Sequence, residues 1–591
     1  MSSPLVLESN EARRTAEAAS VERLVNTYLR ESGIGAPVPL ADPPPAGRGR
    51  AMGVPLPATG ECLAVVPEYR SALGHHRYGP GWWRATGAGW EPAGAGGVAE
   101  LVVGEVAAEE ADAGRRERRQ RALLAQVADS VARTTRYVSA AAQAPSAPTS
   151  PTGAFLAAEQ GISTGHPFHP TPKSAEGFSE DDLARYAPEL GAVFSLHWFA
   201  VAPAALVEER VGGAVLDPPV TVTASARRRL RPDQVDWPLL PVHPWQAAHL
   251  ARVPALEAAI DGGTVVPLGP LGRAVHPTSS VRTVWDPGAG IFRKLALDVR
   301  ITNFVRVNPP DQLRRSVDVS RLLAGHRSRG ARPGFTVLLE RGYRALAPAG
   351  LDDDARRSVV ASSAAVWRDA PDLAAGPAPL VLAALLEPAA GAGEPPVAGA
   401  VRRAAEDAGV PAGGSFVRHW LRRYLGVSLV PLVRLLAEHG VGLEAHAQNT
   451  LVTLDGGWPV HVHVRDLEGA SIDRDHAGRA GPHAAGPPAD SPALYPTDEV
   501  WRRFAYYVLV NHVGHLVATL GWSLGVAEEQ LWAEVRRALE GLGDRLPEPG
   551  AGRVRALLDA PALPAKANLR SRFRERGEDP LYVDVPNPLS R

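Results

Sequence analysis

The chain has 591 residues, 45% hydrophobic and 21% charged, an ordinary composition for a protein of about two to four globular domains. Its formal net charge of −1 excludes a broad basic field, so we expect no binding to nucleic acid or to anionic membranes. The single cysteine, Cys62, excludes an intrachain disulfide framework, a zinc site built on cysteines and an iron–sulfur cluster.

The sequence also bears on the compartment. The N-terminus lacks a basic segment followed by an apolar one, so we predict no secretory signal peptide. The most apolar long run, residues 504–525, contains Asn511, His512 and His515, which favours a buried helix over a membrane span. We therefore expect a cytoplasmic enzyme or binding protein.

Lysine is rare in this chain. Lysine and arginine together number 63, and only Lys173, Lys294 and Lys566 are lysines. A chain that otherwise uses arginine is expected to keep a lysine where a compact point charge is needed and a planar guanidinium does not fit. Each lysine therefore marks a candidate functional segment, unless the three have survived by chance.

In chain order, the first elements predicted are helices over residues 9–33, capped by Ser9 or Asn10 and ended by Gly33, and over 109–138. Stretches rich in small residues and proline at 141–153 and 389–400 are typical of linkers. We predict an α+β chain of three parts, residues 1–150, 151–395 and 396–591, rather than a doubly wound parallel sheet.

Loop residues 165–178 come next and carry the first lysine. Prolines at 167, 170 and 172 prevent a regular helix or a central strand here. The loop bears His166, His169 and Lys173, with neither a cysteine partner nor a zinc-type histidine spacing. It fits binding of an anionic substrate or stabilisation of developing negative charge.

A hairpin is predicted on either side of residues 286–290, around the second lysine. A turn centred on Gly288 places Arg282 opposite Lys294, with Ser280 on the same face as Arg282. Two like charges in a cross-strand pair are unfavourable unless an anion lies between them, and polyphosphate fits that place. Further polar residues follow at Arg300, Thr302, Asn303 and Arg306. The alternative is a basic strand face exposed to solvent.

A second hairpin is predicted at residues 444–469. A turn centred near Gly457 brings Asn449 close to Arg465 and Asp466. The side chains of Glu444, His446, Gln448 and Glu468 are expected at the same open end of the hairpin. Carboxylates and carboxamides suit a hard cation such as Mg²⁺, which shares oxygen ligands with substrate phosphates. The alternative is a solvated polar rim.

The third lysine lies in a basic segment near the C-terminus. If this segment is helical, steps of four place Lys566, Arg570 and Arg574 on one face as a third basic cluster. A solvated helix face is the alternative.

These segments predict a site for a nucleotide with Mg²⁺, and two reaction classes fit it. A kinase would move the γ-phosphate: Glu444 precedes Asn449 by five residues, as an aspartate precedes an asparagine in the kinase catalytic loop, and RDLEG stands where DFG would. An adenylating ligase would let a carboxylate attack the α-phosphate and would pass the acyl group to an amine. A binding protein without catalysis is a third alternative.

Five motifs occur in order: GHPFHPTPKS, HPTSSVRT, KLALDVRITNFVR, EAHAQNTLV and RDLEG. With them the chain resembles the NRPS-independent siderophore synthetases of the aerobactin synthetase type, the IucA/IucC family. The closing KANLRSRF and VPNPL segments fit as well. The resemblance runs from about residue 155 to the C-terminus, and the first 150 residues would be the thumb by position alone.

The resemblance implies a cytoplasmic homodimer with a cupped-hand fold of thumb, fingers and an FhuF-like palm that has a kinase-like hairpin. It implies that ATP and Mg²⁺ are used to adenylate a carboxylate of citrate or of a citrate or dicarboxylate derivative. An amine, hydroxylamine or alcohol then captures the acyl group, and AMP and pyrophosphate are released. An amide synthetase of another natural-product pathway is the alternative with the same chemistry.

The resemblance also assigns site residues, motif by motif. Catalytic roles fall to His166, Lys173, Arg282, Lys294, Arg306 and His446. Nucleotide binding falls to Ser280, Arg282, Thr283, Lys294, Thr302, Asn303, Arg306, His446, Gln448, Asn449 and Asp466. The metal ligands would be Asn449, Asp466 and Glu468. Many members carry an arginine two residues after the loop lysine, where this chain has Ala175 followed by Glu176, a departure that bears on the carboxylate substrate.

Overall fold

The computed structural model describes residues 4–47, 49–143, 148, 150–302, 304–327, 333–388, 393–479, 486–577 and 579–590. Asn303, one of the predicted nucleotide-binding residues, lies outside the described residues. Helices and mostly antiparallel sheets follow one another without a repeating strand–helix order, which confirms the α+β prediction.

The N-terminal part packs three helices against a five-stranded sheet in which strands follow chain order. Its elements are α1 (Pro4–Glu31), β1 (Val38–Pro39), β2 (Met52–Leu56), β3 (Glu61–Tyr69), β4 (Arg77–Thr86), β5 (Gly89–Pro92), α2 (Ala95–Ala107) and α3 (Ala113–Ala142). Helix α1 begins before Ser9, so the predicted cap at Ser9 or Asn10 is wrong: the following turns bury an apolar face that needs no break there. The backbone turns left-handed at Gly33, two residues after α1 ends.

The middle part is built on an eight-stranded sheet in the order β8-β16-β17-β12-β11-β10-β7-β9, beside a small sheet β14-β13-β6. Its elements are α4 (Pro151–Gln160), β6 (Ala175–Glu176), α5 (Glu180–Tyr186), β7 (Phe194–Val201), β8 (Leu206–Arg210), α6 (Val220–Arg227), β9 (Leu239–Val242), α7 (Pro244–Leu250), α8 (Pro254–Asp261), β10 (Val265–Pro277), β11 (Thr283–Asp286), β12 (Ile291–Lys294), β13 (Leu297–Ile301), β14 (Phe304–Arg306), α9 (Pro310–Arg327), β15 (Phe335–Val337), β16 (Glu340–Leu346), α10 (Asp353–Ser363), β17 (Ala365–Asp369), β18 (Pro379–Val381) and α11 (Leu382–Leu386).

The C-terminal part is mainly helical and contains the largest apolar core. Its elements are α12 (Pro396–Asp407), α13 (Gly414–Val427), α14 (Leu429–His439), β19 (Val441–Gly442), β20 (Thr450–Asp455), β21 (Trp458–Val464), β22 (Ser471–Asp473), α15 (Arg474–Arg479), β23 (Leu494–Tyr495), α16 (Thr497–Phe504), the π-helix Ala505–Val513, α17 (Gly514–Leu524), α18 (Glu528–Gly543), α19 (Gly550–Asp559), β24 (Ala562–Lys566), α20 (Asn568–Phe573) and β25 (Tyr582–Pro586). Strands β15 and β18 flank the β20–β21 hairpin, so one sheet joins the middle and C-terminal parts.

The predicted hairpins form, with a correction of register. Ser280 and Arg282 do not share a strand face as predicted, because β11 begins only at Thr283 and Val281 between them has a φ of 67°. The β20–β21 hairpin turns at Gly456 and Gly457 and brings Asn449 beside Arg465, as predicted. In the β11–β12 hairpin, however, Lys294 pairs with Thr283 and not with Arg282. The four-residue turn is centred between Gly288 and Ala289, which moves the partner of Lys294 by one residue.

Two further segments bear on the sequence predictions. The basic face with Lys566 is wrong, because Ala562–Lys566 pairs as a strand with β25 and helix α20 begins only at Asn568. The apolar run at 504–525 is helical and buried, as predicted. Among the helices in the described ranges, none is long and apolar enough to cross a membrane.

Buried polar contacts join the three parts around one cleft. The Glu31 carboxylate at the end of α1 accepts hydrogen bonds from the backbone N–H groups of Leu569 and Arg570, at the start of α20. The Glu159 carboxylate on α4 forms a fully buried pair with Arg465, which follows β21. These contacts fix the orientation of the parts whose side chains line the cleft.

Candidate active site

The cleft measures about 1670 Å³ and is lined by residues of all three parts. The described residues among those predicted for catalysis, nucleotide binding and the metal lie in its wall, except that Thr283 and Lys294 are buried directly behind it. Sequence segments more than a hundred residues apart therefore meet in one site. A cleft of this size can hold a nucleotide together with a second substrate.

Backbone strain is concentrated at the cleft. Among the described residues, four that are not glycine have a positive φ, and three of them lie here: Val281 (67°), Thr302 (60°) and Asp466 (74°). The left-handed region is unfavourable for such residues, above all for β-branched valine and threonine, and is retained where the surrounding structure enforces it. Each strained residue is next to a predicted site residue or is one itself.

The centre of the site is a cluster of charges around Lys294. Its Nζ lies 2.6 Å from Asp466 Oδ1 and 2.6 Å from Glu468 Oε2, while its side chain is only 2% exposed. Arg282 Nη2 lies 3.3 Å from Glu468 Oε1, and Arg368 Nη2 lies 3.1 Å from Asp466 Oδ1. Three cations thus surround two carboxylates at the wall of the cleft.

The charges of this cluster set its protonation state. Burial alone would raise the pKa of Asp466, but Lys294 and Arg368 outweigh burial and hold that pKa well below its usual range. The pKa of Glu468 is lowered in the same way, with Lys294 and Arg282 outweighing burial and the neighbouring Asp466 charge. Both carboxylates are therefore ionised at neutral pH.

Arg306 provides a further cation at the cleft wall. Its guanidinium donates a hydrogen bond to Thr302 Oγ1 at 2.8 Å, and Arg282 donates to the carbonyl of Val307 at 2.8 Å. Burial and the nearby Arg282 charge lower the pKa of Arg306 to about 10, so the group remains charged at neutral pH. An anion in the cleft would relieve the repulsion between the two guanidinium groups.

The loop after β10 is held by side chains from the opposite hairpin. Gln448 Nε2 donates to the Ser279 carbonyl at 3.0 Å, and Ser280 Oγ accepts from the Thr283 N–H at 3.2 Å. Arg465 donates to Glu159 at 2.5 Å through Nη1 and at 3.1 Å through Nη2. This arrangement presents serine hydroxyls and backbone groups next to the charge cluster, as a phosphate site requires.

The proline-rich loop has no regular secondary structure over residues 163–174, as predicted. His166 Nε2 lies 2.9 Å from the side-chain amide nitrogen of Asn511, and burial lowers the pKa of His166 well below its ordinary value. Lys173 Nζ is paired with Glu189 at 2.5 Å and also donates to the Ile162 carbonyl. His166 is therefore neutral, and the charge of Lys173 is balanced within the protein.

The β20–β21 hairpin contributes the remaining predicted residues. Asn449 Nδ2 donates to the Glu444 carbonyl at 3.1 Å, and its amide oxygen has no hydrogen bond to any described residue. His446 Nε2 lies 3.9 Å from Glu444 Oε1, and burial lowers the pKa of His446. A neutral imidazole and a free amide oxygen therefore face the cleft beside Asp466.

The residues fit a hard metal ion that also binds phosphate. Asp466, Glu468 and the Asn449 amide supply oxygen ligands, which Mg²⁺ prefers, and both carboxylates are ionised. In the described part of the chain, no three His, Cys, Asp or Glu side chains are grouped closely enough to hold a metal by themselves. The set is therefore suited to Mg²⁺ that arrives with substrate phosphates, and less suited to a resident structural metal.

Sequence reasoning missed several residues of this site. Arg368 on β17 binds both Glu340 and Asp466, and Glu159 holds Arg465. Arg503 and Tyr507 line the cleft near Lys566, whose Nζ donates to Tyr507 Oη at 2.7 Å. The available signal was a charged residue next to a buried apolar segment, as at Arg368, which follows the buried residues Ala365, Val366 and Trp367 in β17.

Comparison with known families gives two profile matches. Residues 154–387 match the IucA / IucC family, and residues 418–581 match the ferric iron reductase FhuF-like transporter family. Together the matched ranges contain all of the site residues described above.

Two curated relatives extend the comparison. The chain is 32% identical over 593 residues to the L-2,3-diaminopropanoate–citrate ligase of Staphylococcus aureus, covering 99% of this chain and 98% of the relative. It is 30% identical to the spermidine–citrate ligase of Bacillus anthracis, covering 74% of each protein. The first match covers 99% of the chain, so the similarity reaches further towards the N-terminus than residue 155.

The fold is also found among solved structures. ATP-bound aerobactin synthetase IucA of Klebsiella pneumoniae superimposes with a TM-score of 0.81 at 24% identity, covering 97% of this chain and 99% of that chain. The three-part cupped-hand architecture predicted from the sequence is therefore confirmed. With a relative that is 32% identical over nearly its whole length, the chain belongs to the IucA/IucC family of siderophore synthetases, enzymes that join a carboxylate to an amine.

Proposed function

We propose that this synthetase uses ATP and Mg²⁺ to adenylate a carboxylate of citrate and then transfers the citryl group to a primary amine. AMP and pyrophosphate are released. The observation that carries the proposal is the pairing of Lys294, Arg282 and Arg368 with Asp466 and Glu468 in the wall of the cleft. Citrate is favoured because the names of both curated relatives contain it, and ATP is bound by the solved relative.

Charge neutralisation is the main task of the protein in this reaction. The substrate carboxylate and the α-phosphate are both anionic, and Arg282, Lys294 and Arg306 would offset their repulsion. Because Lys294 and Arg282 are paired with carboxylates, nucleotide binding would exchange carboxylate contacts for phosphate contacts. Asp466 and Glu468 would then hold Mg²⁺ together with Asn449, and the metal would supply charge stabilisation at the phosphates.

The remaining predicted residues are proposed to position the substrates. Ser280, Thr283 and Gln448 would order the loop after β10 for phosphate binding. Thr283 N–H donates a hydrogen bond to Ser280 Oγ, and Gln448 Nε2 donates one to the Ser279 carbonyl. His166 and His446, both uncharged, would donate or accept hydrogen bonds without adding positive charge. Lys566 and Arg503 add cations at the far side of the cleft, where the other carboxylates of citrate could be bound.

Two further properties remain proposals from the family. A homodimer is expected, and a size-exclusion measurement with light scattering tests it. A cytoplasmic location is expected because ATP is the energy source, and fractionation of cells that produce the protein tests it.

The deciding experiment is nucleotide product analysis with ATP, Mg²⁺ and hydroxylamine as the acceptor. Citrate, 2-oxoglutarate, succinate and a no-acid control are compared, with and without EDTA. We expect citrate-dependent AMP, pyrophosphate and hydroxamate, all abolished by EDTA. Production of ADP would overturn the adenylation mechanism in favour of a kinase, and turnover with succinate or 2-oxoglutarate alone would overturn citrate as the substrate.

A further inference from the structure

The carboxylates that line the cleft differ in whether a cation or a backbone N–H group is bound to them. Among the described residues, eight carboxylates contribute to the wall, and seven of them are bound at 2.9 Å or less to a cation or to a backbone N–H group. The seven paired carboxylates are Glu17, Glu22, Glu387, Asp466, Glu468, Glu499 and Asp579. Glu444 is the exception: among the described residues, its carboxylate pairs with no lysine or arginine, and the ring of the neutral His446 lies 3.9 Å away.

The structure makes room for the Glu444 side chain. A Cβ on residue 469 would lie 1.6 Å from Glu444 Oε2, so Gly469 leaves the space that the carboxylate occupies. The carbonyl of Gly469 accepts a hydrogen bond from Arg503 at 2.8 Å, and that of Glu444 accepts one from Asn449 at 3.1 Å. The backbone on both sides is thereby fixed, and the side chain is 21% exposed towards the cleft.

Glu444 lies between the phosphate side of the cleft, with His446, and the opposite side, with Lys566. Its Oε1 lies 3.9 Å from the His446 ring on the phosphate side, and that ring is 6.0 Å from the ring of Tyr507, which accepts a hydrogen bond from Lys566 on the opposite side. The titratable groups that the Glu444 charge reaches are Arg306, His446, Arg503, Tyr506, Tyr507 and Lys566. The carboxylate therefore lies between the phosphate site and the proposed anchor for the citrate carboxylates, where the acyl-adenylate would form.

Resting on the proposed function, we infer that Glu444 binds the primary ammonium group of the second substrate beside the activated carboxylate and accepts one of its protons, so that the neutral amine attacks the acyl-adenylate carbonyl carbon and AMP leaves. The many cations of the cleft suit ATP and citrate, but they repel an ammonium group. A cationic amine therefore needs a carboxylate that no other cation occupies, and among the described carboxylates of the wall only Glu444 meets this condition. The second substrate is accordingly a primary amine that is protonated in solution.

The test separates the amine step from adenylation by using Glu444→Gln. Citrate-dependent exchange of pyrophosphate into ATP measures adenylation, and coupling of ethylamine and of L-2,3-diaminopropanoate measures capture by ammonium compounds. Hydroxylamine, which is largely uncharged at neutral pH, is the matched acceptor without the charge. We expect the KM for both amines to rise ~10–100-fold, as for loss of a hydrogen bond to a charged group, with exchange and hydroxamate formation changed less than about threefold.

Two variants serve as controls. Glu444→Asp keeps the charge and should recover part of the affinity for the amines. Glu499→Gln removes a different carboxylate of the cleft wall, paired with Arg502 at 2.5 Å, and should leave all three assays unchanged. The inference is overturned if Glu444→Gln lowers amine and hydroxylamine coupling equally, leaves both unchanged, or loses pyrophosphate exchange. Absence of exchange in the wild-type enzyme would count against the proposed function instead.

Discussion

The β11–β12 and β20–β21 hairpins meet at the cleft with opposite charges and different backbones. Lys294 is the last residue of β12, a strand inside the eight-stranded sheet, where it pairs with neighbours on both sides. Asp466 and Glu468 lie beyond the end of β21 on irregular backbone, with Asp466 in the left-handed region. The cation is thus held by a sheet, whereas the carboxylates are held by a loop.

This difference suggests a division of roles between the hairpins. Lys294 at the end of β12 and Arg282 just before β11 carry fixed positive charges that need no rearrangement when phosphates bind. The carboxylates on the loop can change partners from Lys294 to a metal ion, because they lie on irregular backbone after β21 and are held there mainly by ion pairs with Lys294, Arg282 and Arg368. The first two predictions below each remove one side of this arrangement.

The largest effect is expected from Lys294→Met. The substitution leaves two ionised carboxylates without their shared ammonium and removes the proposed phosphate contact. We expect a loss of citrate-dependent pyrophosphate exchange of at least ~10³-fold and a fall in the free energy of unfolding of about 3–5 kcal/mol. Urea unfolding and exchange assays measure the two effects, and wild-type-like pyrophosphate release would show that the assignment is wrong.

The matched control is Lys294→Arg, which keeps the charge. Because the side chain is only 2% exposed and its Nζ contacts two carboxylates, the wide guanidinium cannot take the same place. We expect this variant to be more stable than Lys294→Met yet still impaired in exchange. Full activity would refute the inference drawn from the scarcity of lysine.

The second prediction tests the carboxylate side with Asp466→Asn. If Asp466 binds Mg²⁺, exchange should fall by at least ~100-fold, since even indirect partners of a metal change affinity by ~10–100-fold, and more Mg²⁺ should be needed for half-maximal activity. If Asp466 only balances Lys294, the Mg²⁺ requirement will not move. A Mg²⁺ titration of exchange activity distinguishes the two results, with Asp490→Asn at an exposed pair as the control.

The comparison of the hairpins also shows which features of the site can be predicted from the sequence alone. Turn residues and alternating polar and apolar positions predicted both hairpins, because these signals act within a few residues. They failed by one residue at Lys294, since Arg282 and Thr283 are both compatible with a short turn and only the contacts with β17 and β10 select the register. Local signals therefore located the charged segments without fixing every pair.

Long-range partners were the part that could not be predicted. Arg368 and Glu159 lie far in sequence from Asp466 and Arg465, and neither stands in a motif. Lys566 was placed on a helix because of its spacing from Arg570, but the neighbouring β25 recruits the segment into a strand. The unpaired state of Glu444 is likewise visible only when every carboxylate of the cleft can be compared.

The third prediction concerns the buried pair that anchors the carboxylate loop. Glu159→Gln leaves the Arg465 guanidinium, which is 4% exposed, without its counter-charge. We expect a loss of about 3 kcal/mol in the free energy of unfolding and an ~10-fold decrease in exchange, because Asp466 follows Arg465 directly. In the double variant Glu159→Leu/Arg465→Met, stability should recover while exchange stays low. Additive effects of the two single variants would contradict direct coupling.

The smallest effect on activity is expected far from both hairpins, at the contact of α1 with α20. Burial raises the pKa of Glu31 from its ordinary value of 4.5 to about 7, although the N–H groups of Arg570 and Leu569 favour the charged form. Between these two values the folded protein holds a proton that the unfolded chain releases, so this group makes stability fall as pH rises from about 4.5 to about 7, by up to ~1.4 kcal/mol per pH unit.

Glu31→Gln removes this titration. The difference in thermal unfolding midpoint between wild type and variant should therefore decrease from pH 5 to pH 7.5, when both are measured in the same series of buffers. Glu109→Gln removes a more exposed carboxylate that binds the same Arg570 and controls for loss of charge at this contact. Parallel pH curves for wild type and Glu31→Gln would mean that Glu31 is already ionised at pH 5. The N-terminal part would then be held to α20 by a charge-assisted contact that does not respond to pH in this range.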